Sequence, residues 1–180
     1  YSDIEGQKVN YDFMQSTLHG FQKPEHEKKD GNYILKLPNI DDLPAVTIVT
    51  PTYERRKLFY MALRNFGEFN YPKDKLEWVI LDDSKESMED MIPRDKRINY
   101  IHIPNVHYSI AKKRNLGADF ASNEIILHMD DDDYYPPESI LARVKILLKY
   151  KEKGIKCVGC SEIGVYNILN KNSILASDGD

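Results

Sequence analysis

The sequence predicts an α/β sandwich built on a mainly parallel sheet, and three observations carry that prediction. Short β-branched and apolar runs recur along the chain as strands. Segments with apolar residues at helical spacing lie between them, so strand and helix alternate. Each strand run stops abruptly at proline or at clustered polar residues, as strands do when they feed a turn. The 180 residues are 41% hydrophobic and 30% charged, sufficient for one domain with a sizeable core.

Residues 1–44 read as an N-terminal leader, polar and poorly periodic. Within it, residues 23–31 are expected to form a solvated loop and residues 33–37 a short strand, before Asp41-Asp42-Leu43-Pro44 links into a domain spanning residues 45–180. The first residue is Tyr1 rather than Met, so the chain is expected to be processed or cut from something longer. Val46-Thr47-Ile48-Val49-Thr50 is the first core strand, ended by Pro51. Leu58, Met61, Ala62 and Phe66 mark the helix after it.

Trp78-Val79-Ile80-Leu81 is the second core strand, stopped by Asp82-Asp83-Ser84. A short helix is expected near residues 88–92, and residues 98–103 form the third strand, stopped by Pro104. Ser109 is a good N-cap for a helix over residues 110–121. Residues 124–129 form the fourth strand. Pro136-Pro137-Glu138 opens the next helix, whose apolar face is Ile140, Leu141, Val144, Leu147 and Leu148. Further strands are expected over residues 156–160 and 163–169.

The net charge of −4 supplies no global basic field for nucleic acid, and no apolar run approaches the length of a membrane span. Cys157 and Cys160 have C-x-x-C spacing. With no second pair nearby to complete a tetrahedral site, they read as two ordinary buried thiols, in keeping with a reducing, cytoplasmic compartment or the cytosolic face of a membrane.

In parallel α/β sheets, ligands bind beyond the carboxyl ends of the strands. Three polar strand ends therefore define a site: Pro51-Thr52-Tyr53, Asp82-Asp83-Ser84 and the run Asp130 to Asp133. Two unit charges about 5 Å apart repel by roughly 3 kcal/mol at an effective dielectric near 20, so four aspartates at the mouth of a core strand invite a divalent cation. Oxygen-only donors suit Mg²⁺ or Mn²⁺. If the run is extended, Asp130 and Asp132 share one face while Asp131 and Asp133 share the other. Magnesium is commonly completed by substrate phosphates, which favours a nucleoside diphosphate partner.

Blander readings stand beside these. Asp82-Asp83-Ser84 also fits a simple turn, and Tyr53 a half-buried aromatic. Lys112, Lys113 and Arg114 fit a solvated basic helix face, Arg55-Arg56 equally so, and His128 reads as packed inside its strand.

Taken together, these segments resemble the nucleotide-diphospho-sugar glycosyltransferases of family 2, with a Rossmann-like GT-A fold, over residues 46–165. Val-Thr-Ile-Val-Thr-Pro-Thr-Tyr resembles the family's first strand and donor loop. Val79 to Ser84 resembles its second strand with the base-binding acid. Ala111-Lys112-Lys113-Arg114-Asn115-Leu116-Gly117 resembles its A-R-N-x-G helix, leading into a D-x-D element at Asp130 to Asp133.

The resemblance implies that Pro51, Thr52 and Tyr53 line a nucleotide pocket and that Asp83 partners the base, commonly uracil. Asp130 or Asp131 faces the ribose or the metal's waters, Asp132 with Asp130 holds Mn²⁺ or Mg²⁺, and Arg114 with Asn115 orders the pocket. The implied reaction is inverting transfer of a sugar to a hydroxyl acceptor such as a glycan. Its general base follows the D-x-D element by many residues in the family, so none is assigned, and the chain is expected to be truncated before it. Two other functions fit less well. One is a non-catalytic nucleotide-sugar-binding module. The other is a nucleotidyltransferase or phosphatase. Pro51-Thr52-Tyr53-Glu54 lacks the glycines of the nucleotidyltransferases, and the acid run follows the fourth strand rather than the first.

Overall fold

The structure, a computed structural model, describes residues 26–29, 32–35, 37, 39–40, 42–159, 162–167 and 169–177. It divides into two compact units, one over Asn39–Lys145 and the other drawn from Tyr1–Pro38 and Ile146–Asp180.

In the unit drawn from the chain ends, β1 (His26–Lys29) pairs antiparallel with β2 (Asn32–Leu35). The solvated loop expected over residues 23–31 is therefore a strand at His26–Lys29. Its charged sequence carries no alternation, and its cross-strand partner supplies the order instead.

The larger unit is the predicted α/β sandwich. Its sheet contains β3 (Val46–Thr52), β4 (Leu76–Asp82), β5 (Ile98–His102) and β6 (Ile125–His128), in the order β5-β4-β3-β6. All pairs are parallel. β3 is buried along its whole length, which is why it reads as a continuous apolar and β-branched run. On one face Trp78 stacks on Phe59 and on Phe66 of α1 (Tyr60–Glu68), with ring centroids 6.0 and 4.7 Å apart. Its indole N–H donates to Thr50 Oγ1 at 2.9 Å, satisfying a buried polar group.

On the other face α2 (Ile110–Asp119) lies over Val49, Val79 and Leu81, with Leu116 packed against them. A Cβ on Gly117 would stand 2.3 Å from Val49 Cγ1, so glycine there sets how closely α2 approaches β3. Ser109 caps α2 as expected, accepting from the Lys112 N–H at 3.2 Å.

Pro51 does not end its strand. β3 continues to Thr52, in register with Asp82. The Val49 carbonyl accepts from the Met129 N–H at 3.1 Å, so Val49 turns its polar groups toward β6. Pro51, two residues on, turns the same way, beyond the last β6 pair at Val49↔His128, where its missing N–H leaves no ladder bond unmade.

The helix expected near residues 88–92 is a single 3₁₀ turn, Glu89–Met91. After a turn at the prolines, α3 (Ser139–Lys151) buries Ile140 and Val144. No described helix is long and apolar enough to cross a membrane.

Beyond α3, Gly154 (φ +81°) turns the chain and residues 155–159 are irregular, not the expected strand. Cys157 is exposed there rather than buried, because the segment has no ladder to place it in a core; Cys160 lies outside the described residues. β7 (Glu162–Asn167) and β8 (Asn172–Ser177) form an antiparallel hairpin. The strand expected to reach residue 169 stops earlier because the turn, with Lys171 at φ +56°, intervenes.

Candidate functional site

The register brings three strand ends to one row: Thr52 pairs with Asp82, and Asp82 with His102. The fourth strand stops short at His128, opposite Val49, so the acid run continues alongside the end of β3. Asp131 then reaches Thr52, whose hydroxyl donates to Asp131 Oδ2 at 2.5 Å. This contact joins the end of β3 to the acid run.

Asp82 and Asp83 divide their duties because consecutive residues of an extended chain point to opposite sides. Asp82 is internal: Oδ1 accepts from the Ser84 N–H at 2.9 Å and Oδ2 from the Tyr100 hydroxyl at 2.6 Å. Burial, reinforced by that bond, pushes the Tyr100 hydroxyl up to about 12. Asp83 turns toward α2. Its side chain is 1% exposed, and Oδ1 lies 2.6 Å from Lys113 Nζ. Oδ2 accepts from the Tyr108 N–H at 2.7 Å and lies 3.2 Å from His107 Nδ1. Burial opposes ionisation of Asp83, yet Lys113 and the Tyr108 N–H outweigh it and hold the carboxyl below the usual range.

Lys113 is not part of a solvated basic face. It is buried, and its ammonium also donates to the Thr52 carbonyl at 2.9 Å, tying β3, β4 and α2 together at the sheet edge. Its ammonium lies 5.7 Å from the centroid of the Tyr53 ring, which is 37% exposed and 4.2 Å from the His107 ring. Glu54 fastens the two loops to each other. With φ at +52° it donates its N–H to Ser84 Oγ at 2.6 Å, and its carboxylate accepts from the Lys85 N–H at 3.0 Å.

The four aspartates are held individually. Arg114 Nη2 donates to Asp130 Oδ1 at 2.8 Å, while Arg114 Nε is buried without a partner among the described residues. The Asp130 N–H donates to the Tyr135 hydroxyl at 3.1 Å. Asp131 is buried, and burial raises its carboxyl despite the Thr52 hydroxyl. Arg55 Nη1 donates to Asp132 Oδ2 at 2.7 Å, a half-exposed pair. Asn65 of α1 clamps the end of the run, donating to the Asp133 carbonyl at 2.8 Å and accepting from the Tyr135 N–H at 3.2 Å.

The structure thus gathers Thr52, Asp83 and Lys113 at one edge, with Tyr53 and His107 beside them and Asp130, Asp131, Asp132 and Arg114 adjoining through Thr52. Pro51 is buried and supports the edge from within β3. His128 is exposed on the edge strand β6, not packed inside the sheet.

Among the described residues no three His, Cys, Asp or Glu side chains form a group that could hold a metal ion. Asp130 and Asp132 nevertheless supply oxygen donors, 41% and 40% exposed, of the kind that hold a hard cation completed by phosphate. Three residues escaped sequence reasoning. Lys113 looked like one of three surface cations, His107 sat in an unmarked loop, and Asn65 carried only a helix position. A lysine directly before the arginine of the helix motif was the one available signal for the first.

The model of glycosyl transferase family 2 matches residues 47–165. A Campylobacter jejuni GalNAc(5)-diNAcBac-PP-undecaprenol beta-1,3-glucosyltransferase is 29% identical over 96 residues, 51% of this chain and 30% of that protein. An uncharacterized Haemophilus influenzae glycosyltransferase is 23% identical over 113 residues, 60% of this chain and 44% of its own. The chain therefore spans less than half the length of either.

Two solved structures share the fold. A Pyrobaculum calidifontis mannosyltransferase in complex with GDP-Man and Mn²⁺ matches 77% of this chain and 39% of its own at TM-score 0.53 and 22% identity. S. aureus TarS in complex with UDP-GlcNAc matches 71% and 41%, at TM-score 0.50 and 21% identity.

Proposed function

The chain belongs to glycosyl transferase family 2, and from that premise we propose that it moves a sugar from a nucleoside-diphosphate donor, UDP-sugar favoured, to a hydroxyl acceptor such as a glycan. The observation that carries the proposal is the Thr52–Asp131 contact. It brings the last residue of β3 against the acid run at the carboxyl edge of a parallel sheet, where such folds bind nucleotides.

In this reading Pro51, Thr52 and Tyr53 line the donor pocket and the exposed Tyr53 ring offers a stacking face. Asp83 anchors the base end through Tyr108 and His107. Asp130, Asp131 and Arg114 border the ribose and phosphates, with the unpaired Arg114 Nε a spare donor for an anion. Asp132 with Asp130 would hold Mn²⁺ or Mg²⁺, and Arg55, paired with Asp132 at 2.7 Å, lies beside the same oxygens. When bound, the cation supplies Lewis-acid stabilisation of the charge on the departing diphosphate.

An inverting outcome is part of the proposal, and no side chain is assigned the proton-accepting role. The same reading places the activity in the cytoplasm or at the cytosolic face of a membrane. The lipid-linked name of the Campylobacter relative supports the second setting.

Calorimetric titration of UDP, GDP and their sugars, with and without Mn²⁺, tests the proposal. Metal-dependent binding of at least one is expected. Binding of none would overturn it.

A further inference from the structure

The buried face of α1 carries one polar residue. Its buried positions are Ala62, Asn65 and Phe66, and Asn65 is 2% exposed. An amide in such a place costs free energy unless its polar atoms find partners, and an apolar side chain of the same size would fill it without that cost. Both ends of the Asn65 amide are used, on backbone groups either side of Tyr134. Nδ2 donates to the Asp133 carbonyl at 2.8 Å, and Oδ1 accepts from the Tyr135 N–H at 3.2 Å. The Asn70 N–H, just past α1, donates to the Pro137 carbonyl at 2.8 Å. Residues 134–136 belong to no strand or helix, so these bonds stand in for the ladder that the segment lacks.

The geometry points to Asn65 as a positioning residue for the carboxylates of Asp130 and Asp132. This rests on the reading above, in which those two acids hold the cation beside a nucleoside diphosphate. The acid run is fastened at three points. The Asp130 N–H donates to the Tyr135 hydroxyl at 3.1 Å, the Asp131 carboxylate accepts from the Thr52 hydroxyl at 2.5 Å, and the Asp133 carbonyl accepts from Asn65. Asn65 serves two of the three, because the Tyr135 backbone it fixes carries the phenol that meets Asp130. Carboxylates of like charge repel, and a loose loop would let Asp130 and Asp132 part. A backbone pinned on both sides of Asp132 restricts that parting before any cation is bound, which is what a preorganised metal site needs.

The test titrates Mn²⁺ into the whole chain at saturating UDP, reading free Mn²⁺ by electron paramagnetic resonance, with a urea melt of each sample. Asn65→Leu keeps the bulk of the side chain and removes both bonds; its Mn²⁺ affinity is expected to fall by about tenfold or more, the order for losing a group that orients metal ligands. Asn65→Ser, whose one hydroxyl is too short to span both groups, is expected to lower it in the same direction, and it carries the test if the leucine variant does not fold. Ala62→Gly loosens the same helix at a buried position and leaves the clamp in place, so its Mn²⁺ affinity is expected to stay within about twofold of the parent. Equal Mn²⁺ affinity in the parent and the Asn65 variants overturns the assignment. An equal fall in Ala62→Gly overturns it too, since Asn65 would then act only through the stability of α1. A parent chain without UDP-dependent Mn²⁺ binding sinks the cation reading itself, and this inference with it. A failure confined to the variant comparison leaves that reading standing.

Discussion

Lys113 Nζ stands 2.6 Å from Asp83 Oδ1, both side chains almost wholly removed from solvent. The same ammonium donates to the Thr52 carbonyl, so one cation from α2 closes the ends of β3 and β4. A buried pair of this kind is weak support for stability as a whole, but removing one partner is costly because the other is left charged and dry.

Lys113→Met is therefore expected to destabilise the fold by about 3 kcal/mol or more, read as a lowered urea midpoint. Adding Asp83→Asn to Lys113→Met is expected to recover part of the loss, because the stranded charge disappears. A double variant no more stable than the single one would mean that the pair is not coupled.

Gly117→Ala is expected to cost about 1–3 kcal/mol, although alanine is the better helix former. The added Cβ would meet Val49 Cγ1 at 2.3 Å, in the middle of a buried strand. Val49→Ala introduced alongside should relieve the clash, so thermal melts of the two single variants and the double should be non-additive.

The pH dependence of stability has two carboxylates pulling in opposite directions. The folded state holds Asp83 below the ordinary carboxylate value. Its stabilisation is therefore present above that value and lost as pH falls through the folded-state pKa. Asp131 is raised by burial, so the folded state is penalised once it ionises and regains stability as pH falls into the carboxylate range. Denaturation midpoints measured from neutral to acid pH should fall less steeply in Asp83→Asn. Asp131→Asn should be the more stable protein at neutral pH, since an amide oxygen still accepts from Thr52; a lower midpoint there would contradict the assigned sign.

Asp132→Ala is expected to abolish Mn²⁺-dependent binding of a nucleoside diphosphate while changing stability by less than about 1 kcal/mol. Its only described salt bridge is the half-exposed pair with Arg55, which contributes little. Calorimetry and a urea melt on the same sample separate the two effects. Undiminished metal-dependent binding would move the cation to other oxygens.

The core of this fold was legible because β3 and β4 are buried on both faces and so write themselves as apolar runs. The acid run was legible for the opposite reason, since four charges directly after a core strand have no place in an ordinary interior. The antiparallel strand pairs were less so. His26–Lys29 and Asn172–Ser177 owe their strand state to a cross-strand partner, and neither segment carries a strong pattern of its own. Cys157 was misplaced for a related reason: an apolar-looking segment is buried only if a ladder receives it.

By itself the sequence determined the order of strands and helices over residues 46–151, the polar residues that close the core strands and the family to which the pattern belongs. Periodicity and strand-end chemistry are local properties, and local properties survive in a one-dimensional string. Tertiary structure alone decided what each charge faces. Lys113 among three consecutive cations is the buried one because the turn of α2 aims it between Thr52 and Asp83, while Asp130 and Asp132 face arginines from α2 and from the loop after β3. Burial and pairing across more than fifteen residues depend on register and helix rotation, which no single segment encodes.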